Sequence, residues 1–230
     1  MRKVLVAGAI WLASVFGAHA QNTSPVVIEL FTSQGCSSCP PADAFLHKLA
    51  KRDDVIALGW HVDIWDYIGW KDEFADADYT ERQRDYARAA GARSIYTPQM
   101  IVGGVDHVIG HRPVETADLL MKHKAATSPV SLTVTRKGDK IDIKGSTTKP
   151  TSMVVQLVRY SPENDVSISR GENAGRKLSY ANVVTAHEVV RRWNGNSPLD
   201  TSVTATGDDP VVILIQRTGH REILAAAQLN

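Results

Sequence analysis

The chain has 230 residues, 43% of them hydrophobic and 22% charged, an ordinary globular composition. Lys and Arg number 26 against 25 Asp and Glu. That balance gives no support for nucleic-acid or anionic-membrane binding.

Arg2 and Lys3 precede an apolar run, Val4 to Gly17, and Ala18-His19-Ala20 fits a small-x-small cleavage site. Residues 1–20 therefore read as a signal peptide, and the protein as periplasmic or secreted. The run is shorter than the ~20 residues of a membrane span, so no retained anchor is expected. No later stretch is long and apolar enough to span a bilayer.

Val26 to Phe31 is apolar except for Glu29, which suits a strand buried on both faces. Cys36-Ser37-Ser38-Cys39 follows, then Pro40, Pro41 and a helix-like stretch from Ala42 to Lys51. Proline fits only the first turn of a helix, so Ser38 or Cys39 is the expected N-cap. Val55 to Val62 is the next strand, reached by a right-handed crossover. Asp63 to Asp78 reads as an insertion with Trp65, Tyr67, Trp70 and Phe74 among acids. Thr80-Glu81-Arg82-Gln83 fits a capping box and opens a helix ending at Gly91. Gln99 to Val102 and Val105 to Ile109 form a hairpin around Gly103-Gly104, and Pro113 starts a helix to about Ala126. The order is β-α-β-α-β-β-α.

Residues 128–230 change character. Alternating Val130, Leu132 and Val134 and later apolar runs predict an antiparallel, sandwich-like β domain. Ser161 to Arg176 reads as a long polar loop, and Gly171 to Arg176 within it as turns that need glycine. The expected fold is thus an α/β domain at 24–127, a four-stranded mixed sheet covered by helices, followed by an antiparallel β domain at 128–230.

Cys36 and Cys39 are the only cysteines. A bridge between them closes a two-residue loop and removes little chain entropy, so a purely structural staple is a weak explanation. A helix N-terminus stabilises a thiolate, the species that attacks disulfides. The pair therefore reads as redox-active. A metal site is the rival. His61, His107 and His111 lack ligand spacing to the cysteines, though Cys36, Cys39 and His61 fit a copper-chaperone-like arrangement. Asp63, Asp66, Asp72, Asp76 and Asp78 match no calcium loop and read as solvated acids. No cofactor is expected. Trp65, Tyr67 and Trp70 fit either a substrate platform or a satellite core.

The order strand, Cys-x-x-Cys, helix and the Thr97-Pro98 opening of the third strand resemble the thioredoxin superfamily. More closely, F-T-S-Q-G-C-S-S-C-P-P-A-D (31–43), H-V-D-I-W-D-Y-I-G-W-K-D (61–72), E-R-Q-R-D-Y-A (81–87), Y-T-P-Q-M (96–100) and G-E-N-A-G-R-K-L (171–178) resemble a family of secreted bacterial thioredoxin-like proteins of unknown function. The chain departs from thioredoxin proper: Gly35, not tryptophan, precedes Cys36, and Ser-Ser separates the cysteines. The resemblance implies that Cys36 attacks and Cys39 resolves. It implies a proton-handling role for Glu29 if that side chain is buried, the other reading being a solvated edge residue. It implies a cis Pro98 facing the disulfide, with Thr97 pairing with the partner's backbone. The resulting expectation is an exported thiol–disulfide oxidoreductase acting on protein thiols or disulfides of the cell envelope. A non-catalytic binding module is the rival.

Overall fold

The computed structural model describes residues 24–229, so the expected signal peptide lies outside the described residues. Strands β1 (Val26–Thr32) and β2 (Val55–His61) are buried throughout and pair in parallel, joined by helix α1 (Pro40–Leu49). A 3-10 turn at Asp66–Ile68 precedes α2 (Ala77–Ala89). Then come β3 (Gln99–Val102), β4 (Asp106–Ile109) and α3 (Pro113–Ala125). The second half supplies β5 (Val130–Lys137), β6 (Lys140–Thr147), β7 (Met153–Ser167), β8 (Lys177–Trp193), β9 (Leu199–Thr204), β10 (Val211–Arg217) and β11 (Ile223–Leu229).

The expected fold, a four-stranded mixed sheet covered by helices and followed by an antiparallel, sandwich-like β domain, is corrected. Four strands from each half join in one eight-stranded sheet, in the order β11-β10-β7-β8-β2-β1-β3-β4. Only β5, β6 and β9 form a second sheet. The chain is mostly strand, with three α-helices among the described residues.

The join has a local cause. β2 and β8 meet in parallel at Gly59 and Val183. A Cβ on Gly59 would stand 3.2 Å from the Ala181 carbonyl oxygen, so glycine allows the close approach. Asn182 adopts a positive φ of 47° and donates from Nδ2 to the Ala57 carbonyl at 2.8 Å. The expected loop 161–176 is corrected too, since β7 runs on to Ser167 and pairs with β8 along its length.

Hydrophobic burial follows the same continuity. On one face, Ile28, Leu30, Leu46, Leu49, Met100 and Leu120 pack under α1 and α3. On the other, Phe31, Trp60, Tyr79 and Tyr86 beneath α2 share a core with Val158, Tyr160, Val184 and Leu214 from the second half. The small sheet closes on β7 and β10 through Ile141, Ile143, Leu199, Val155, Leu157 and Ile213.

A buried polar network crosses the same seam. Arg82 of α2 donates to Glu29 of β1 at 2.8 Å and to Gln156 of β7 at 2.9 Å. The Tyr86 hydroxyl donates to the other Glu29 oxygen and accepts from Gln216 of β10 at 2.8 Å. Every member is paired, which is what keeps a buried charge tolerable.

Candidate functional site

The site is built where β1 ends and α1 begins. Cys39 is the N-cap of α1, and Pro40 and Pro41 occupy its first turn. The Cys39 carbonyl accepts from Ala42 and Asp43 N–H at 2.8 and 3.1 Å. Cys36 and Cys39 are joined by a disulfide. Both are buried, Cys36 at 5% exposure and Cys39 at 0%, while Ser37 and Ser38 are exposed. The Ser38 hydroxyl lies 3.4 Å from Cys36 Sγ.

Around the cysteine loop lies a buried polar cluster that composition alone does not announce. Asp43 sits one helical turn after Cys39, on the same face. Its Oδ1 accepts from Thr32 Oγ1 at 2.7 Å, and its Oδ2 has no hydrogen-bond partner. Burial, opposed in part by the Thr32 hydrogen bond, lifts its pKa from 3.8 to about 7. The Tyr180 hydroxyl is also unpartnered, and burial pushes its pKa well above the usual tyrosine value. His61 pairs through Nδ1 with Asp72 Oδ2 at 2.7 Å, its ring edge-on to Phe74 and Tyr180. Asp72 also accepts from the Gln34 N–H at 2.8 Å, so this pair pins the loop leading to Cys36.

Two segments distant in sequence close over that loop. From the β7–β8 connection, Asn173 donates from Nδ2 to the carbonyls of Gln34 and Cys36, both at 2.9 Å. Its neighbour Glu172 accepts from the Ser37 N–H at 3.3 Å. From the insertion, Trp70 donates to Gln34 Oε1 at 2.8 Å and packs against Val166, Ile168, Tyr180 and Val183. Trp65 donates to Thr97 Oγ1 at 2.7 Å, and its Cβ lies where a side chain on Gly35 would crowd it, at 3.1 Å. Tyr67 alone stands clear, 79% exposed. Trp70 is half-buried against this small core, and Tyr67 and Trp65 flank the site.

The sequence-derived site residues fall in three places. Cys36 and Cys39 are the disulfide. The Thr97–Pro98 bond is cis, and Thr97 reaches the cysteine loop through Trp65. Glu29 is buried, as one reading required, but it lies on the face of β1 opposite Thr32, bound to Arg82 and Tyr86. The rival metal set is not assembled here, since the two sulfurs are bonded to each other and His61 is held by Asp72. Asp72 is fully buried rather than solvated. Sequence reasoning missed Asp43, Asp72 and Asn173. For Asp43 a signal existed: an acid at helical spacing from Cys39 and among Ala42, Leu46 and Leu49, all buried. For Asn173 none did, because its contacts to the cysteine loop span more than 130 residues.

A family model described as "Protein of unknown function (DUF1223)" matches residues 27–216. No curated protein matches the chain. A crystal structure of an Agrobacterium tumefaciens protein is similar at 34% identity and a TM-score of 0.78, covering 91% of this chain and 96% of that one. A hypothetical protein from Pyrococcus horikoshii aligns at 11% identity over 44% of this chain and 87% of that one, with a TM-score of 0.22, too slight a likeness to carry an argument. None of these matches names the thioredoxin superfamily; the family of unknown function is the part of the resemblance that stands.

Proposed function

We propose that this chain, which belongs to the DUF1223 family of proteins of unknown function, is an exported thiol–disulfide oxidoreductase. The observation that carries the reading is a disulfide over a two-residue loop, capping a helix whose next turn buries an acid with a free oxygen. A bridge so local adds little stability. A buried, unpartnered carboxyl oxygen costs stability. Both make chemical sense if the bridge opens and closes.

In the dithiol form, the Cys36 thiolate attacks one sulfur of a partner disulfide, and the other partner sulfur leaves as a thiolate. The Cys39 thiolate then attacks the Cys36 sulfur. The second partner thiolate leaves, and the Cys36–Cys39 bond re-forms. The reverse sequence oxidises a partner dithiol. Cys39 must lose a proton before it attacks, and we assign Asp43, not Glu29, to take it. Thr97 and Pro98 are assigned to hold the partner's backbone.

Replacing Cys39 with serine blocks the second step. Mature Cys39→Ser protein mixed with a cell-envelope extract should accumulate disulfide-linked partners that dithiothreitol releases. If no adduct forms with protein or with a small disulfide, the reading is wrong.

A further inference from the structure

Resting on the thiol–disulfide reading, we infer that the pair works in the reducing direction, and that Glu172 and Pro41 set this by withholding from the cysteine thiolates the donors a helix N-terminus would supply. The partner class is a protein disulfide, and the electron source is a second dithiol. The partner's S–S bond gains two electrons and becomes two thiols. The Cys36–Cys39 dithiol loses them and becomes the disulfide. The second dithiol then restores the pair and is itself oxidised to a disulfide.

The Ser38 hydroxyl lies 3.4 Å from Cys36 Sγ, but the backbone donors around the pair are mostly committed elsewhere. A couple is oxidising when its thiolate, and so its reduced form, is stabilised. The first turn of a helix usually does this with free N–H groups. Here Pro40 and Pro41 have none. The next two N–H groups, of Ala42 and Asp43, bond the Cys39 carbonyl. The Cys39 N–H bonds the Cys36 carbonyl, and the Cys36 N–H bonds Ser33. The Ser37 N–H, next to Cys36, is taken by the Glu172 carboxylate. That carboxylate also places negative charge beside the developing thiolate, at the helix end where an anion would otherwise be favoured.

Two carboxylates flank the loop: Asp72 accepts from the Gln34 N–H and Glu172 from the Ser37 N–H, on either side of Cys36. His61 is paired with Asp72, while Arg176, which donates to the neutral Asn173 Oδ1, keeps its positive charge and offsets part of this. Burial of Cys36 further disfavours its ionised form. The connection between β7 and β8, bland in the sequence, is thus the electrostatic governor of the cysteines. Asn173 holds it in place.

The mature protein is equilibrated in glutathione buffers, extended with dithiothreitol buffers, and its thiols are trapped by alkylation. Wild type should stay mainly disulfide in a buffer that half-reduces the glutathione couple. Glu172→Gln and Pro41→Ala should each raise the ratio of dithiol to disulfide about two- to fivefold at fixed buffer. Each should speed Cys36 alkylation at neutral pH by a similar factor. The Glu172→Gln effect should shrink as salt is added, which a packing change would not do. A wild type that is already dithiol in the glutathione buffer overturns the assigned direction. Two variants with unchanged ratios overturn the roles of Glu172 and Pro41. Either result leaves exchange itself intact if Cys39→Ser still traps partners; loss of trapping with these equilibria as expected sinks the exchange reading instead.

Discussion

Glu29 of β1 and Arg82 of α2 form an ion pair of 2.8 Å with side chains 0% and 2% exposed. Arg82 also lies over the Trp60 ring, 4.8 Å from its centroid, and reaches Gln156 in the second half. One guanidinium therefore ties the two halves together. Arg82→Met should strand a buried carboxylate and cost about 3–5 kcal/mol, whereas Glu29→Gln combined with Arg82→Met should recover much of that loss. Urea denaturation of the three proteins measures both. Equal losses in the single and double variants would deny that the stranded charge is the cause. Because Glu29 lies away from the cysteines, the double variant should keep its rate of exchange with a small disulfide.

Asp43 predicts a pH dependence. Its folded pKa, about 7, lies above the usual 3.8, because burial disfavours the carboxylate. The folded state thus prefers the protonated form. The resulting stabilisation is complete below about pH 4 and fades as pH rises to about 7. Asp43→Asn removes the titration. Between pH 4 and 7.5 wild type should lose on the order of a few kcal/mol relative to the variant. The second, Cys39-dependent step should show an inflection near pH 7 in wild type and none in Asp43→Asn. A profile shared by both proteins would take Asp43 out of the proton path.

Asn173→Ala should leave the carbonyls of Gln34 and Cys36 without their side-chain donor, at a cost of about 1–3 kcal/mol. The cysteine loop should loosen, and reduction of the disulfide by a small phosphine should quicken. Unchanged reduction kinetics in a destabilised variant would mean that Asn173 supports the fold but does not shield the bridge.

A fragment of residues 24–127 should not fold cooperatively. It keeps β1 to β4 but leaves the β8 edge of β2 unpaired. It also strips Val158, Tyr160, Val184 and Leu214 from the core beneath α2. Each of these side chains is worth roughly 1.5–3 kcal/mol when buried. Circular dichroism and a urea titration decide the matter; a sharp unfolding transition in the fragment would contradict the shared core.

How much of this was legible in the residues follows from the range of the interactions. Strands β1 to β4, α1 and α3 were marked by local patterns: apolar runs, proline starts and Gly103-Gly104; α2 was placed late, because Asp76 caps it and the expected capping box at Thr80 lies inside its first turns. The disulfide was marked by spacing. The joining of the two halves was not, since a buried strand such as β2 announces that it has two neighbours without saying which. The seam depends on Gly59 lacking a side chain and on Asn182 tolerating a positive φ, and neither has a sequence signature that points to the other. In the site, the cysteines were visible and their electrostatic surroundings were not. Glu29 stood out because it interrupts an apolar run. Asp43 was hidden by looking like an ordinary first-turn acid.

At the start of the described chain, the Ser24 hydroxyl donates to the Ala226 carbonyl at 2.9 Å and accepts from the Ala226 N–H at 2.8 Å, across 202 residues. Beside it, the sheet is completed by strands β10 and β11. The sheet therefore closes only when residues from the two ends of the described chain meet, and contacts of such long range form slowly. Until the β7–β8 connection docks, Cys36 and Cys39 lack Asn173 over them. A bridge formed at that stage would precede the environment that later governs it.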